Sequence, residues 1–496
     1  MLPVASLTHL LLVSSVLLLL FVSNLRAEPV VIDTHSARGR ITVADRNYEV
    51  GEEVLAEAAS LVWPANSDSS FVLKFLEGGE EEREAILQLA HLPTDAKTER
   101  IARLRAAAEE VYDSMRERME AAGWEEEDVH RLLIIKDTNC FPFYGRRASG
   151  YEEGTSVGAD RLALFPRCAK VNHSCRPNVM FSSQTEDGKL RLIAMRRIER
   201  GEEVTFSYLG EDGDVMSREE RRERMRGKDF LCSCARCEGV DDVRGIRCPA
   251  CGIIRYPLPE TAAKEEEEAG SAGGVVEREK WTACRCEGEG GGDSVRDLVE
   301  WEEEAGRRML QFLGKCRDFD RQLPDPRELE EMVKEAQGKL SPSHFLVAQG
   351  QELLAKVWSS YAHRMEKRED FVAPFLLSSR DCRGRAARSF FLAIRVREEL
   401  EEKWEEGREC SKEETGVNSK RGGEEGGGRR EGGERAVFSC TRLAFSAAEN
   451  LMRSEMKEWR EEAEDVTRYV KMMKRRYGED DEDVRKIERF VNELIV

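Results

Sequence analysis

The segment FLCSCARC at 230–237 constrains this chain most, because it sets thiols at Cys232, Cys234 and Cys237 in a Cys-x-Cys-x-x-Cys spacing. Three thiolates so close supply three corners of a tetrahedral zinc site, and the fourth ligand must come from elsewhere in the chain. Cys175, in the stretch VNHSCRPNVMF at 171–181, is the obvious candidate. If it supplies that corner, one ion ties two distant segments together and places the polar side chains of Asn172 and His173 beside the metal. The competing reading is a set of buried or oxidised cysteines without metal.

A second set, CPACG at 248–252 with WTACRC at 281–286, resembles a zinc ribbon in its first half. Its second half is Cys-x-Cys, so Cys248, Cys251, Cys284 and Cys286 form a weaker candidate site. Eight of the 14 cysteines fall between residues 175 and 286, a clustering that favours metal over a disulfide scaffold in a chain of this length. Cys140, Cys168, Cys316, Cys382, Cys410 and Cys440 are scattered and read as packing or surface thiols.

The 496 residues allow two to four domains at roughly 100 to 200 residues each. A net charge of −19 argues against a surface built for nucleic acid, which needs excess Lys and Arg, and favours basic partners. Residues 1–27 form a separate unit: Leu10 to Val22 is nearly all apolar, and no charged side chain precedes Arg26. This reads as a signal-peptide core or a membrane-anchoring segment, the alternatives being a mistaken start or a buried helix.

Short β-type runs occupy 28–63, including RITVA and, after a turn at Val50-Gly51-Glu52, VLAEAASLVW. Residues 64–128 turn helical, with Leu104, Ala108 and Val111 at helical spacing. A second β-rich block spans 129–210, where Val204, Phe206 and Tyr208 alternate onto one face. Cysteine-rich irregular chain follows at 211–292. The remainder is helical over 293–405 and 437–496: Ser341-Pro342 is expected to cap a helix carrying Leu346, Leu353 and Val357, and a second stripe runs through Leu392, Val396, Leu400 and Trp404. Residues 406–436, rich in Gly, Glu and Arg, are expected to be a disordered loop.

Three segments in order, NHSCRPN at 172–178, RGEEVTFSYLG at 200–210 and the Cys-x-Cys-x-x-Cys after Phe230, resemble the SET-domain protein lysine methyltransferases of the SET-and-MYND class. HSARGRITVADRNYEVGEEVLAE is similar to the amino-terminal SET strands, and KDTNCFPFYG to a strand that carries an asparagine. The resemblance implies an α+β chain: a β-rich SET fold with a post-SET zinc segment, followed by an α-helical TPR-like domain. It departs from the family in lacking a MYND zinc finger, since no cysteine precedes Cys140, and in a cofactor loop, ARGRI, with one glycine.

What the resemblance implies for function is methyl transfer from S-adenosylmethionine to a lysine of a histone or other basic protein. Tyr208 matches the catalytic tyrosine. Asn172, His173 and Phe230 would line the cofactor pocket, with Arg38, Gly39, Arg40 and Asn139 as weaker candidates, Cys175 on zinc, and the chain a monomer. Taken alone, Tyr208 reads as an ordinary strand tyrosine, His173 as a structural histidine and Asn172 as a turn cap. The competing function is a non-catalytic SET-fold zinc scaffold that binds protein partners through its helical domain, and a third is a secreted disulfide protein. Asn172-His173-Ser174 is also an N-glycosylation sequon. A glycan there would obstruct the pocket, so the catalytic body is expected in a reducing compartment, cytosol, nucleus or an organelle reached by the leader.

Overall fold

Four short strands open the fold: β1 (Val30–Asp33), β2 (Arg40–Val43), β3 (Glu53–Ala58) and β4 (Leu61–Pro64). The computed structural model describes residues 29–33, 39–143, 161–182, 188–259, 281–283, 291–316, 323–367, 377–414, 441–454, 467, 469, 470, 473, 474 and 482–495. Residues 1–27, with the expected targeting segment, and Arg38 therefore lie outside the described residues. Val50 to Glu52 turns as expected, with Gly51 at φ 78° and the Glu52 N–H on the Glu49 carbonyl at 3.0 Å.

Five helices follow: α1 (Asp68–Glu77), α2 (Glu80–Leu87), α3 (Glu99–Ser114), α4 (Arg116–Ala121) and α5 (Glu126–Asn139). Ser67 caps α1 by accepting the Ser70 N–H at 3.2 Å, and Thr98 caps α3 through Ile101 at 3.3 Å. The buried stripe of α3, Ile101, Leu104, Ala108 and Val111, packs with Phe71, Phe75 and Leu132 to Ile135 into one apolar core under Trp63 of β4. Helix α5 is where the sequence expectation fails. The run Leu132-Leu133-Ile134-Ile135 fits a buried strand or a buried helix equally well, and the chain resolves it as a helix whose last residue is Asn139. The strand that resembled an asparagine-bearing one, β5 (Cys140–Phe143), begins one residue later.

Strands β6 (Arg161–Leu164), β7 (Asn172–His173), β8 (Val179–Ser182), β9 (Lys189–Ala194) and β10 (Thr205–Phe206) complete the β region. The orders are β3-β9-β8 and β4-β6-β5, both antiparallel, with β1 against β2. Among the described residues only β7 and β10 pair in parallel, Asn172 opposite Thr205 and His173 opposite Phe206. Phe141, Phe165, Phe181 and Phe206 fill the space between the sheets, their ring centroids 5.8 Å apart in four pairs.

After helix α6 (Arg218–Arg226) and the single turn α7 (Ala235–Glu238), a hairpin of β11 (Ile246–Arg247) and β12 (Ile254–Arg255) leads to the helical region. This consists of α8 (Gly291–Cys316), α9 (Pro326–Lys339), α10 (Phe345–Lys367), α11 (Ser379–Glu414), α12 (Thr441–Ser454) and α13 (Glu482–Ile495). It is joined to the β region through apolar contact: Ile193 and Met195 share a core with Phe390, Phe391 and Ala447, and Val215 and Ile246 share one with Trp358 and Leu340. Among the described residues no helix is long and apolar enough to cross a membrane.

Two boundaries differ from the sequence reading. Ser341-Pro342 does not open α10, because the backbone there is claimed by the hairpin segment: Leu340 bridges to Ile246, the Ser341 N–H donates to the Gly245 carbonyl at 2.8 Å, and Phe345 donates to Val243 at 2.9 Å. The helix starts at Phe345, and the His344 ring accepts the Leu346 N–H at 3.1 Å in the role of a cap. Helix α11 also runs nine residues past the expected break, to Glu414, while 415–440 lie outside the described residues.

Candidate active site and zinc centre

The sulfurs of Cys175, Cys232, Cys234 and Cys237 all lie within 4.8 Å of one another. Cys175 comes from the loop after β7; the other three come from the chain leaving α6 and entering α7. Cys175 Sγ is 3.8 Å from Cys232 Sγ and 3.5 Å from Cys237 Sγ, against about 3.8 Å between corners of a tetrahedron with Zn–S bonds of about 2.3 Å. Disulfide bonding would need about 2 Å. Three of the four cysteines are buried and Cys234 is partly buried. Hydrogen bonds from Cys175 and the other two thiols hold Cys234 down as a thiolate, and hydrogen bonding to Cys232 and the others pushes Cys175 up. Four crowded sulfurs cannot all ionise unaided, and a divalent cation is what such a donor set fits.

The buried guanidinium of Arg236, between two of these cysteines, donates to the carbonyls of Cys175 (3.3 Å), Gly213 (3.0 Å) and Asp214 (2.7 Å) and pairs with Asp242 at 3.0 Å. It fastens the Cys175 loop to the three-cysteine segment independently of any metal. Sequence reading missed it, since an arginine inside a cysteine motif carries no local signal.

His173 links this centre to Tyr208. Its Nδ1 accepts the Tyr208 N–H at 3.0 Å and its Nε2 stands 3.2 Å from Cys175 Sγ. An accepting Nδ1 in a neutral ring leaves the proton on Nε2, which donates toward the cysteine sulfur and so is no metal ligand. Burial pulls the imidazole down to about 4, so the ring is neutral. The Tyr208 hydroxyl donates to the Val171 carbonyl at 2.9 Å, and burial pushes it up to about 12. Around Tyr208 stand Phe206 at 5.0 Å, His173 at 5.2 Å and Phe230 at 6.2 Å between ring centroids, with Phe230 6.0 Å from His173. Lys228 Nζ lies 5.9 Å from the Tyr208 ring.

Asn172 spends its amide hydrogens on the Arg40 carbonyl at 2.7 Å and on Glu203 Oε1 at 3.1 Å, tying the ARGRI loop to the β7–β10 pair. Gly39 in that loop has φ 68°, a conformation glycine takes without steric cost. Asn178, not singled out from sequence, is the knot beneath: its N–H donates to the Thr205 carbonyl and its carbonyl accepts from Met195, while its side chain accepts from the Thr205 N–H at 2.8 Å and donates to the Glu203 carbonyl at 2.8 Å. Asn139 is buried at the end of α5, with its amide on the carbonyls of Ala90 and Ile135, both at 2.7 Å. Among the described residues no hydrogen bond joins it to the Tyr208 group.

The second cysteine set is half described. Cys248 is buried and Cys251 exposed, on a tight turn closed by Gly252 N–H to the Cys248 carbonyl at 2.8 Å, with Gly252 at φ 74°. Trp281 bridges to Pro257 and the Thr282 N–H donates to the Tyr256 carbonyl at 2.9 Å, which brings the chain two residues before Cys284 alongside the hairpin. Cys284 and Cys286 themselves lie outside the described residues.

Most of this β region, residues 80–209, matches the family model described as "SET domain". Strands β3 and β4 precede the matched stretch yet pair into its sheets through β9 and β6, while β1 and β2 pair with each other. The chain thus carries a SET domain followed by a helical region. Its relatives include histone-lysine N-methyltransferase ATXR2 of Arabidopsis thaliana, 39% identical over 77 residues, 15% of this chain and 16% of that protein. Histone-lysine N-methyltransferase SMYD3 of Mus musculus is 40% identical over 83 residues, 16% and 18% of the two chains. N-lysine methyltransferase SMYD2 of Gallus gallus is 39% identical over 108 residues, 21% and 22%. The matched stretch spans less than a quarter of the length of each relative.

Proposed function

We propose that this chain transfers a methyl group from S-adenosylmethionine to the lysine side chain of a protein, a histone or another basic substrate. The observation that carries the reading is the placement of Tyr208, fixed at its backbone by His173 and at its hydroxyl by Val171, in a pocket of aromatic rings set on the four-cysteine centre. When bound, S-adenosylmethionine supplies a methyl group on a positively charged sulfur. The chemistry of the residues fits that group: Asn172 and Gly39 anchor the loop that would flank it, and the rings of Phe230, Tyr208 and His173 offer π-faces against which an adenine stacks.

A lysine must lose its proton before it attacks. The rings of Phe206, Tyr208 and Phe230 disfavour a charged ammonium by desolvation, and the Lys228 ammonium adds like charge beside them. With its proton committed to Val171, the Tyr208 oxygen keeps lone pairs with which to accept an amine N–H and orient the nitrogen. Orientation is the larger part of what such a site contributes, since holding reactants in line replaces entropy otherwise lost in the transition state. Zinc on Cys175, Cys232, Cys234 and Cys237 would be fully ligated by sulfur, a structural ion that holds Phe230 near Tyr208. A second ion on Cys248, Cys251, Cys284 and Cys286 is consistent with the tight turn at Cys248.

The acidic chain, at net charge −19, suits a basic substrate. A reducing compartment is part of the same reading, because a glycan on Asn172 would take one of the two amide hydrogens that hold the Arg40 carbonyl and Glu203. Calorimetry with S-adenosylmethionine, joined to a protein-array assay with labelled cofactor, tests the proposal. Binding together with label on lysine supports it, whereas no binding by zinc-loaded protein defeats it.

A further inference from the structure

We propose that Arg100, on the helical segment that precedes the β5–β10 block, is a positioning residue that clamps the turn carrying Lys228 and Phe230 against Tyr208. The inference deepens the methyl-transfer reading and rests on it for its catalytic meaning.

Asp229 is the one non-glycine residue among the described residues with a left-handed backbone, at φ 61°. Any side chain bearing Cβ resists that conformation, aspartate and asparagine least, so the surroundings must hold it. Its carboxylate accepts from Arg100 Nη1 at 2.9 Å, and Arg100 Nε donates to Asp137 at 2.6 Å. The Arg100 side chain is only 14% exposed and that of Asp229 17%, so water screens the pair poorly. Arg100 lies in the first turn of α3 and Asp137 in the last turn of α5, which makes the clamp a contact of two helices with a turn more than 90 residues further on.

That turn carries two side chains that face Tyr208. Lys228 and Phe230 donate their N–H groups to the Met225 carbonyl at 2.8 and 3.3 Å, and Asp229 to Arg226 at 2.9 Å, closing the end of α6. The flanking side chains project to Tyr208: Lys228 Nζ at 5.9 Å from its ring, Phe230 at 6.2 Å between centroids. Two residues on, Cys232 enters the four-sulfur centre. The segment is therefore held at one end by sulfur and at the other by Arg100, and Phe230 can keep its place only while both hold. The helical segment acquires a role in this way: it sets the wall of the pocket without touching what the pocket binds.

Arg100→Gln removes the clamp, and Asp229→Asn removes the charge while keeping a side chain at home in the left-handed region. In the full chain, three quantities are measured: amide hydrogen exchange over 226–231, S-adenosylmethionine affinity by calorimetry, and zinc content. Both substitutions are expected to speed exchange of Asp229 and Phe230 and to weaken cofactor binding, about tenfold for Arg100→Gln and less for Asp229→Asn, with zinc content unchanged and partial recovery in Arg100→Lys. Exchange and affinity both equal to wild type in Arg100→Gln would overturn the clamp. A wild-type chain that binds no S-adenosylmethionine overturns the methyl-transfer reading instead, and the exchange data still decide whether Arg100 orders the turn.

Discussion

The backbone N–H of Tyr208 is held by the ring of His173, Nδ1 at 3.0 Å, while the other nitrogen of that ring faces Cys175 at 3.2 Å. One imidazole thus connects the backbone of Tyr208 to a group of thiols. His173→Ala is expected to free the Tyr208 N–H in a buried setting, at about 1–3 kcal/mol of stability, and to lower methyl transfer about 100-fold while zinc stays bound. His173→Asn, which keeps an acceptor, should recover part of both. Urea unfolding and single-turnover labelling read the two effects separately.

Because Nε2 carries the proton, the metal is expected to see sulfur alone. X-ray absorption at the zinc edge should fit four sulfurs at about 2.3 Å for this centre, with no nitrogen from His173. Elemental analysis of Cys175→Ser should find one ion fewer per chain than wild type. A scattering shell that needs imidazole, or unchanged metal content in Cys175→Ser, would remove the link between the two segments.

This centre was largely legible in the sequence, since ligand spacing is a local property: Cys232, Cys234 and Cys237 fall within six residues, and NHSC supplies an obvious fourth. Tyr208 and Phe230 were placed by resemblance, and the structure brings both beside His173. What stayed hidden depends on tertiary pairing. Asn139 was placed on a strand by the resemblance of KDTNCFPFYG, whereas the apolar run Leu132 to Ile135 packs on α3 as a helix that carries Asn139 at its end. Ser341-Pro342 has the residues of a helix start, but Gly245 takes its N–H. Arg100 and Asp229 stand 129 positions apart, beyond any periodicity.

Phe206 carries the ring of Tyr208 at 5.0 Å and meets Phe141 and Phe181 at 5.8 Å on its other sides. It is buried, so Phe206→Ala should cost about 3–5 kcal/mol through lost contact and the cavity left behind, while Phe206→Leu should cost less than about 1.5 kcal/mol. Denaturant midpoints check the difference. A cost under about 1 kcal/mol for the alanine variant would mean that the rings do not form one packed unit.

Acid stability should report on the contact between the cysteine-rich segment and the helical region. Glu302 of α8 is buried, which raises its carboxyl, but hydrogen bonds from His344 at 3.0 Å and Arg244 at 2.7 Å override burial and hold it down at about 2. A carboxyl depressed on folding stabilises the native state fully above its ordinary value of 4.5, and that contribution is lost as pH falls toward 2. Wild type should therefore lose on the order of 3 kcal/mol across that interval through this group. Glu302→Gln should be less stable at pH 7 and show a flatter profile between 4.5 and 2; an identical slope would place the acid sensitivity elsewhere.

The most direct measurement is transfer of labelled methyl groups by the zinc-loaded chain and by Tyr208→Phe, with S-adenosylmethionine affinity determined for both. Loss of one hydroxyl that orients the amine should lower labelling of substrate lysine at least about 100-fold and leave cofactor affinity within a few-fold. Equal labelling by the two proteins would contradict the account, since the chemistry would then not pass through the residue that His173 and Val171 hold in place.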